Sequence, residues 1–375
     1  MIGDQSHYHI ENDPEYSGLN VNQGIEPLPS VNADSVKRFL KNKKNRSLSI
    51  QQYVDGILNG DITLLSQAVT LVESSKPEHQ EIAQDIIVKC LPFSGNSVRI
   101  GITGVPGVGK STFIEAMGKH ITSQGKKLAV LAIDPSSERT KGSILGDKTR
   151  MEDLSTDPNA YIRPSPAAGS LGGVARKTRE TIILCEAAGF NHIFIETVGV
   201  GQSETAVHSM VDFFLLLMLS GAGDELQGIK RGIMEMADAI TINKADGNNM
   251  EKAALARIQY LNALHLFPAT ESGWKPKVLT CSAYLKTGIS EIWDTINEYL
   301  VLVKSNAYFQ HRRNEQSKFW MYETINEHLR NNFYQNEQIK KLMVESERKV
   351  MKEEISSFVA AKKILDLYDQ IRKNN

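Results

Sequence analysis

The sequence predicts an α/β fold: a doubly wound, mostly parallel sheet with helices on both faces, flanked by helical segments at each end. Three observations give this prediction. Short, near-continuous apolar runs alternate with helical patterns between residues 96 and 305, as expected for parallel strands buried on both faces. A glycine-rich loop joins the first apolar run to a helix. The chain beyond residue 305 is helical and charged, without strand patterns. The strand candidates are 99–103, 128–133, 160–163, 192–197, 213–219, 239–243 and 277–282.

The segments outside the sheet domain (96–305) are interpreted from their periodicity. Residues 1–33 show none and are predicted to be a disordered tail, whereas 34–95 carry helix-spaced apolar residues and form an N-terminal helical segment. Residues 306–375 form long amphipathic helices with an apolar stripe. That stripe must pack on the chain's own sheet or on a second copy. A long arm buries little by itself, which favours a C-terminal dimerisation arm and a homodimer.

The composition sets limits on the partners. The chain has 375 residues, 41% hydrophobic and 23% charged, with a formal net charge of -1. With this charge balance, the protein has no overall electrostatic field that would attract nucleic acid or an anionic membrane. No apolar run is long enough to span a bilayer. The cysteines, Cys90, Cys185 and Cys281, are widely spaced and fit buried free thiols in a reducing compartment. With a polar, acidic N-terminus, these features predict a cytoplasmic protein with neither nucleic-acid nor membrane partners.

The glycine-rich loop matches the phosphate-binding P-loop pattern G-x-x-x-x-G-K-[ST] between a strand and a helix. Its backbone N–H groups and the helix dipole favour phosphate oxygens. Lys110 would reach the β- and γ-phosphates, and the Ser111 hydroxyl would bind Mg²⁺. The predicted phosphate-binding residues are Gly104, Val105, Pro106, Gly107, Val108, Gly109, Lys110, Ser111 and Thr112.

A second motif selects the base. Asn243, Lys244 and Asp246 form N-K-x-D directly after a strand. One carboxylate can accept both guanine N1–H and the exocyclic amine, whereas adenine lacks this donor pair, so Asp246 would reject it. Lys244 would lie against the base and Asn243 would tie loops together. The segment containing Ser282, Ala283 and Tyr284 would cap the base.

Three carboxylates are candidate Mg²⁺ ligands alongside Ser111: Asp134, Asp147 and Glu196. Asp134 and Glu196 end strands where a P-loop ion would lie, although each acid could instead cap a helix or face water. Gly199 is placed to sense the γ-phosphate, and Gln202 could orient water. Lys110, Glu196 and Gln202 are therefore the candidate catalytic residues. The polar, Gly-rich stretch 221–231 also follows a strand, and by default it is a connecting loop.

Together these motifs resemble one family closely, the GTPase chaperones of adenosylcobalamin-dependent methylmalonyl-CoA mutase, which includes the methylmalonic aciduria type A proteins and relatives formerly called arginine/ornithine transport ATPases. The resemblance rests on residues 100–285. The matching segments are GITGVPGVGKSTFIE, AVLAIDPSS, GSILGDKTRM, ETVGVGQSE, SGAGDELQGIKRGIME, NKAD and the loop around Cys281, Ser282 and Ala283.

The resemblance implies a homodimeric P-loop GTPase of the SIMIBI class that binds GTP or GDP with Mg²⁺ through Ser111, Asp134, Asp147 and Glu196. It implies that Asp224, Gln227 and Lys230 form a switch that couples the mutase to GTP hydrolysis. Such a GTPase gates cofactor delivery and protects or rescues the mutase. Slow intrinsic turnover, stimulated by the partner, is expected because the catalysis depends on positioning and charge stabilisation.

Other functions remain as alternatives. A metallochaperone GTPase usually needs Cys/His clusters, which this sequence lacks. A signal-recognition GTPase needs a Met-rich groove, whereas the eleven methionines are dispersed. A small-molecule kinase or transport ATPase is opposed by Asp246. The client could also be a related acyl-CoA mutase.

Overall fold

The computed structural model describes residues 48–133, 151–164, 171–197, 203–221 and 231–374. From Ile50 onward the chain belongs to one compact unit. Seven parallel strands form a single sheet in the order β3-β2-β4-β1-β5-β6-β7. The strands are β1 Val98–Gly104, β2 Leu128–Ile133, β3 Ala160–Arg163, β4 His192–Thr197, β5 Phe213–Leu219, β6 Ala239–Asn243 and β7 Lys277–Thr280.

The predicted α/β fold is confirmed, and the described sheet is entirely parallel. The strand predictions match within two residues at every end. The largest difference is at β7, which ends at Thr280 because Ser282 turns away to pair antiparallel with Thr287. Their backbone N–H and C=O groups form hydrogen bonds of 3.0 and 3.1 Å in both directions.

The described helices connect and flank the strands. They are α1 Ile50–Leu58, α2 Ile62–Glu73, α3 Pro77–Cys90, α4 Lys110–Thr122, α5 Glu152–Ser155, α6 Leu171–Ala187, α7 Ser203–His208, α8 Arg231–Met236, α9 Met250–Leu264, α10 Ile289–Ser305, α11 Tyr308–Tyr334, α12 Glu337–Met351 and α13 Ser357–Asn374. Several start at recognisable signals. The Asp61 carboxylate caps α2 by accepting from the Thr63 and Leu64 N–H groups, and Pro77 opens α3.

Apolar side chains cover both faces of the sheet. Alternate strand residues point to opposite faces, so Phe194 of β4 belongs to one core and its neighbours Ile193 and Ile195 to the other. The first core includes side chains from α4, α5 and α10. The second includes side chains from α1, α2, α3, α6, α7 and α9. The P-loop strand β1 lies between β4 and β5, in the interior of this layered arrangement.

The first half of α11 packs on the sheet domain, and the second half presents apolar side chains to solvent. The Trp320 indole donates to the Ser209 carbonyl at 3.1 Å, and the Gln316 amide donates to the Val211 carbonyl at 2.8 Å. Further along the helix, Tyr322, Ile325 and Leu329 are about half exposed. This part of the apolar stripe predicted within residues 306–375 is therefore not covered by the described sheet domain.

The three cysteines, Cys90, Cys185 and Cys281, are buried free thiols, as predicted from their spacing. Within the ranges that the structure describes, no helix has both the length and the apolar character needed to cross a bilayer.

Candidate nucleotide site

The P-loop connects β1 to α4 at the carboxyl edge of the sheet. Gly107 and Gly109 have φ angles of 76° and 90°, a left-handed conformation that favours glycine. The Val108 N–H donates to the Val105 carbonyl at 3.2 Å, and the buried Val108 side chain anchors the loop to the core. Pro106 and Gly107 are exposed at the tip. The loop is therefore a tight, anchored turn leading into a helix N-terminus, the arrangement that binds phosphate.

Lys110 lies across this loop. Its Nζ donates to the Gly104 carbonyl at 2.9 Å. Burial lowers the pKa of Lys110, and the carboxylates of Glu196 and Glu204 oppose that effect. Because hydrogen bonds between two charged groups are stronger than those to a neutral carbonyl, a phosphate oxygen would be a better partner for this ammonium group.

Close packing leaves no room for a side chain at one loop glycine and little at another. A Cβ atom on Gly104 would lie 2.4 Å from the Leu217 carbonyl oxygen of neighbouring β5. A Cβ on Gly109 would lie 3.0 Å from Nδ2 of Asn243. The absence of side chains at these positions lets the loop lie against β5 and the residue that ends β6.

Asn243 joins the P-loop to the two loops that follow β6 and β7. Its Nδ2 donates to the Val108 carbonyl at 2.8 Å. Its Oδ1 accepts from the Ala283 N–H at 3.1 Å and from the Cys281 thiol at 3.4 Å. The side chain is fully buried, with 1% of its surface exposed. In the structure, Asn243 thus links the P-loop to the loop after β7.

Asp246 is held by the loop after β7. The Ser282 hydroxyl forms a hydrogen bond with its carboxylate, and the Ser282 oxygen also accepts from the Leu285 N–H at 3.1 Å. Tyr284 is 83% exposed. Lys244 is exposed and has a φ of 59°, an unusual conformation for a residue other than glycine. These loops place a lysine beside the P-loop and an oriented carboxylate close to it in the chain.

Asn249 is a supporting residue that lies outside the sequence motifs. Its Nδ2 donates to the Lys244 carbonyl at 2.7 Å, and its N–H donates to the Asp246 carbonyl at 2.9 Å. Ser220, at the end of β5, donates to its Oδ1 at 2.5 Å. The asparagine therefore fixes the strained Lys244 backbone. The only sequence signal was an amide residue shortly after N-K-x-D.

Glu196 is the penultimate residue of β4 at the same edge, is paired in register with Ile102 of β1, and is buried. The next residue, Thr197, shares a 2.8 Å hydroxyl hydrogen bond with Thr103, which joins the ends of β1 and β4. Ser111 lies in the first turn of α4 and is partly exposed. Both residues carry the hard oxygen donors that Mg²⁺ prefers.

The remaining predicted site residues lie outside the described residues: Asp134, Asp147, Gly199, Gln202, Asp224, Gln227 and Lys230. Within the described ranges, no group of three or more His, Cys, Asp and Glu side chains could hold a metal ion. The structure thus brings together the P-loop, Glu196, the N-K-x-D residues and the segment Ser282 to Tyr284, at the edge where ligands of parallel sheets bind.

Comparison with known proteins identifies the family. The profile of the family described as methylmalonyl-CoA mutase-associated GTPase MeaB matches residues 65–338. A probable GTPase of Mycobacterium tuberculosis is 49% identical over 84% of this chain and 95% of its own length. The GTPase ArgK of Escherichia coli is 47% identical, over 77% and 87% of the two chains. A mouse protein named methylmalonic aciduria type A homolog, mitochondrial, is 44% identical, over 85% and 80%.

The fold comparison agrees. The crystal structure of an LAO/AO transport system kinase superimposes with a TM-score of 0.70 at 36% identity, covering 87% of this chain and 99% of the other. The resemblance inferred from the motifs is therefore confirmed. The protein has a P-loop GTPase fold, binds guanine nucleotide and hydrolyses GTP. The chain belongs to the MeaB family of methylmalonyl-CoA mutase-associated GTPases.

Proposed function

We propose that this GTPase is a chaperone that gates adenosylcobalamin loading of methylmalonyl-CoA mutase and protects or reactivates the mutase. The observation that carries the proposal is the family match over residues 65–338, which spans the whole sheet domain and the start of the C-terminal helices. GTP hydrolysis would act as a timer, because γ-phosphate contacts hold switch loops in one arrangement and hydrolysis releases them.

In this proposal, different residues at the carboxyl edge bind the phosphates and the guanine base of the nucleotide. Lys110 leaves the Gly104 carbonyl and binds the β- and γ-phosphates together with the N–H groups of the P-loop. Asp246, held by the Ser282 hydroxyl, accepts the two guanine donors. Asn243 holds the phosphate-binding half-site (the P-loop) and the base-binding half-site (the loops after β6 and β7) in fixed relative positions through its contacts with Val108 and Ala283.

Ser111 and Glu196 would hold Mg²⁺, with Asp134 and Asp147 as further ligands. The two described residues fit this ion because they present oxygen donors from the P-loop helix and from the end of the adjacent strand β4. When bound, Mg²⁺ neutralises charge that develops on the phosphates. Gly199 would contact the γ-phosphate and Gln202 would orient the attacking water.

Asp224, Gln227 and Lys230 are proposed to couple the mutase to hydrolysis. Their segment follows β5, which lies directly beside the P-loop strand in the sheet. It also follows Ser220, which contacts the base-binding loop through Asn249. A partner that moved this segment would thereby act close to both half-sites.

We further propose that the protein is a cytoplasmic homodimer and that its C-terminal helices form the dimer interface. Tyr322, Ile325 and Leu329 on α11 and Phe358 on α13 are 47 to 85% exposed, an apolar surface that a second copy could cover. A related acyl-CoA mutase is the alternative client. A metallochaperone role would need a metal-binding cluster, and the described residues contain none.

The test is GTP hydrolysis measured with and without purified mutase. We expect Lys110→Ala to abolish hydrolysis in both conditions. Lys230→Ala should keep the basal rate but lose stimulation by the mutase. Lys252→Ala, an exposed lysine on α9, is the matched control and should behave as the parent protein. Stimulation of the Lys230 variant equal to that of the parent would remove its switch role, and no complex with either mutase would remove the chaperone function.

A further inference from the structure

A polar cavity lies at the amino edge of the sheet, whereas the nucleotide site lies at the carboxyl edge. It has a volume of about 260 Å³ and lies between the turn after α3, helix α6 and the start of α11. Three arginines line it: Arg99 at the start of β1, Arg179 on α6 and Arg313 on α11. Guanidinium groups from three separate elements thus converge on one small space.

Two of these arginines are fully engaged with carboxylates. Arg313 donates to both Asp212 oxygens, from Nε at 2.9 Å and from Nη2 at 2.8 Å, and also to the carbonyls of Gly95 and Ser97. Arg99 donates to Glu186 from Nε at 2.9 Å and from Nη2 at 2.8 Å. Both pairs are buried. They hold the floor of the cavity in fixed geometry.

Arg179 is different. Its Nη2 donates to the Ser317 hydroxyl at 3.1 Å. Its Nη1 is buried and has no hydrogen-bond partner among the described residues. Since leaving a buried charged donor without a partner is costly, this group needs a further acceptor.

The charge around Arg179 points to the type of acceptor. The three guanidinium groups are accompanied by two carboxylates, Glu186 and Asp212, which pair with Arg99 and Arg313. Among these groups, the positive charge of Arg179 is therefore not balanced. Burial, followed by repulsion from Arg99, lowers the pKa of Arg179 to about 10, with Arg313 adding to the repulsion. The carboxylates of Glu186 and Asp212 oppose this effect.

The mouth of the cavity adds neutral donors. Gln310 and Asn314 on α11 line it, and both are exposed, with the Gln310 amide donating to the Asn314 Oδ1 at 2.9 Å. The cavity is smaller than pockets that hold drug-sized ligands, which typically begin near roughly 300 Å³. Its size therefore selects a compact ligand.

We propose that this cavity binds a small carboxylate or phosphate anion, with Arg179 as its main ligand and Asn314 at its mouth. Planar guanidinium groups are well suited to bidentate recognition of both anion types. A bound anion would connect α6 to the first turns of α11. The site does not use the residues of the nucleotide site, and the proposal does not depend on the mutase.

Isothermal titration of the full chain with inorganic phosphate and, separately, with malonate tests the proposal. The titrations use Lys110→Ala as the starting protein, because the P-loop could otherwise bind phosphate. We expect one anion site per chain for phosphate, malonate or both, and the tighter of the two identifies the ligand class. Adding Arg179→Gln should weaken binding at least tenfold.

A second variant guards against a folding defect in Arg179→Gln. Asn314→Asp places a negative charge at the cavity mouth on an exposed helix position, and it should weaken anion binding several-fold. Asn326→Asp makes the same change three turns further along α11 and should have no effect. Equal binding with and without Arg179→Gln, equal effects of the two Asn→Asp variants, or no binding of either anion would overturn the proposal.

Discussion

Replacing Asn243 with alanine tests whether this residue holds the nucleotide site together. The change removes the donor to the Val108 carbonyl and the acceptor for the Ala283 N–H, at 2.8 and 3.1 Å. Both partner residues are buried, and a buried backbone group that loses its partner costs about 1–3 kcal/mol. We therefore expect the free energy of unfolding to fall by about 3 kcal/mol.

The assay is thermal unfolding of the nucleotide-free protein, followed by GDP titration. Unfolding entropy is roughly 2.1 cal/mol/K per residue, so for a unit of this length about 3 kcal/mol corresponds to a fall in Tm of about 4 °C. GDP should bind at least tenfold more weakly, since the phosphate and base loops lose their connection and tenfold corresponds to only about 1.4 kcal/mol.

Asn297→Ala is the matched control. Asn297 is half-buried on α10, and its amide makes one hydrogen bond, to the Trp293 carbonyl at 2.9 Å. Its loss should cost less than about 1 kcal/mol and leave GDP binding unchanged. If Asn243→Ala unfolded within 1 °C of this control and bound GDP as tightly, the reasoning that assigns the loop connection to Asn243 would be refuted.

Three further predictions concern selectivity, pH and packing. Asp246→Asn should weaken GDP binding at least a hundredfold and favour the xanthine nucleotide, whose C2 carbonyl accepts from an amide; unchanged selectivity in competition titrations would contradict this. Burial lowers the pKa of His192 to about 4, below its usual 6.5. Between these two pH values the unfolded chain therefore binds more protons than the folded chain. Acidification from pH 6.5 to 4 should thus lower the free energy of unfolding by up to about 3 kcal/mol. His192→Gln should reduce the slope of this part of the Tm–pH curve, to which the buried His208 also contributes, and an unaltered slope would rule His192 out. Gly104→Ala should lower the urea midpoint strongly, because its Cβ would lie 2.4 Å from the Leu217 carbonyl, whereas Gly172→Ala, with no atom within 4 Å, should not.

The sheet could be predicted closely from the sequence because each strand is a short apolar run bounded by polar or glycine residues. Phe213–Leu219 is an example, with seven consecutive apolar residues that only a strand buried on both faces uses. The motifs at the ends of β1 and β6 could also be recognised from the sequence, because each consists of residues within a few positions of each other.

The contacts between distant segments could not be predicted in this way. Arg313 and Asp212 are 101 residues apart, and nothing in their spacing indicates a pair. Asn249 acts on backbone groups, which leave no trace in residue type. The exposure of the α11 stripe likewise depends on contacts between distant segments, such as the hydrogen bond from the Trp320 indole to the Ser209 carbonyl.

The Arg313 contact also has a consequence for folding during synthesis. The last strand of the sheet ends at Thr280, yet the buried Asp212 carboxylate receives its guanidinium partner only after residue 313 has been made. Until then the carboxylate has the Arg99 N–H as a partner but no bidentate cation, and a buried charge without a counter-ion is costly. The ion pair that neutralises Asp212 can therefore form only once the start of α11 has been synthesised, later than the last described strand of the sheet.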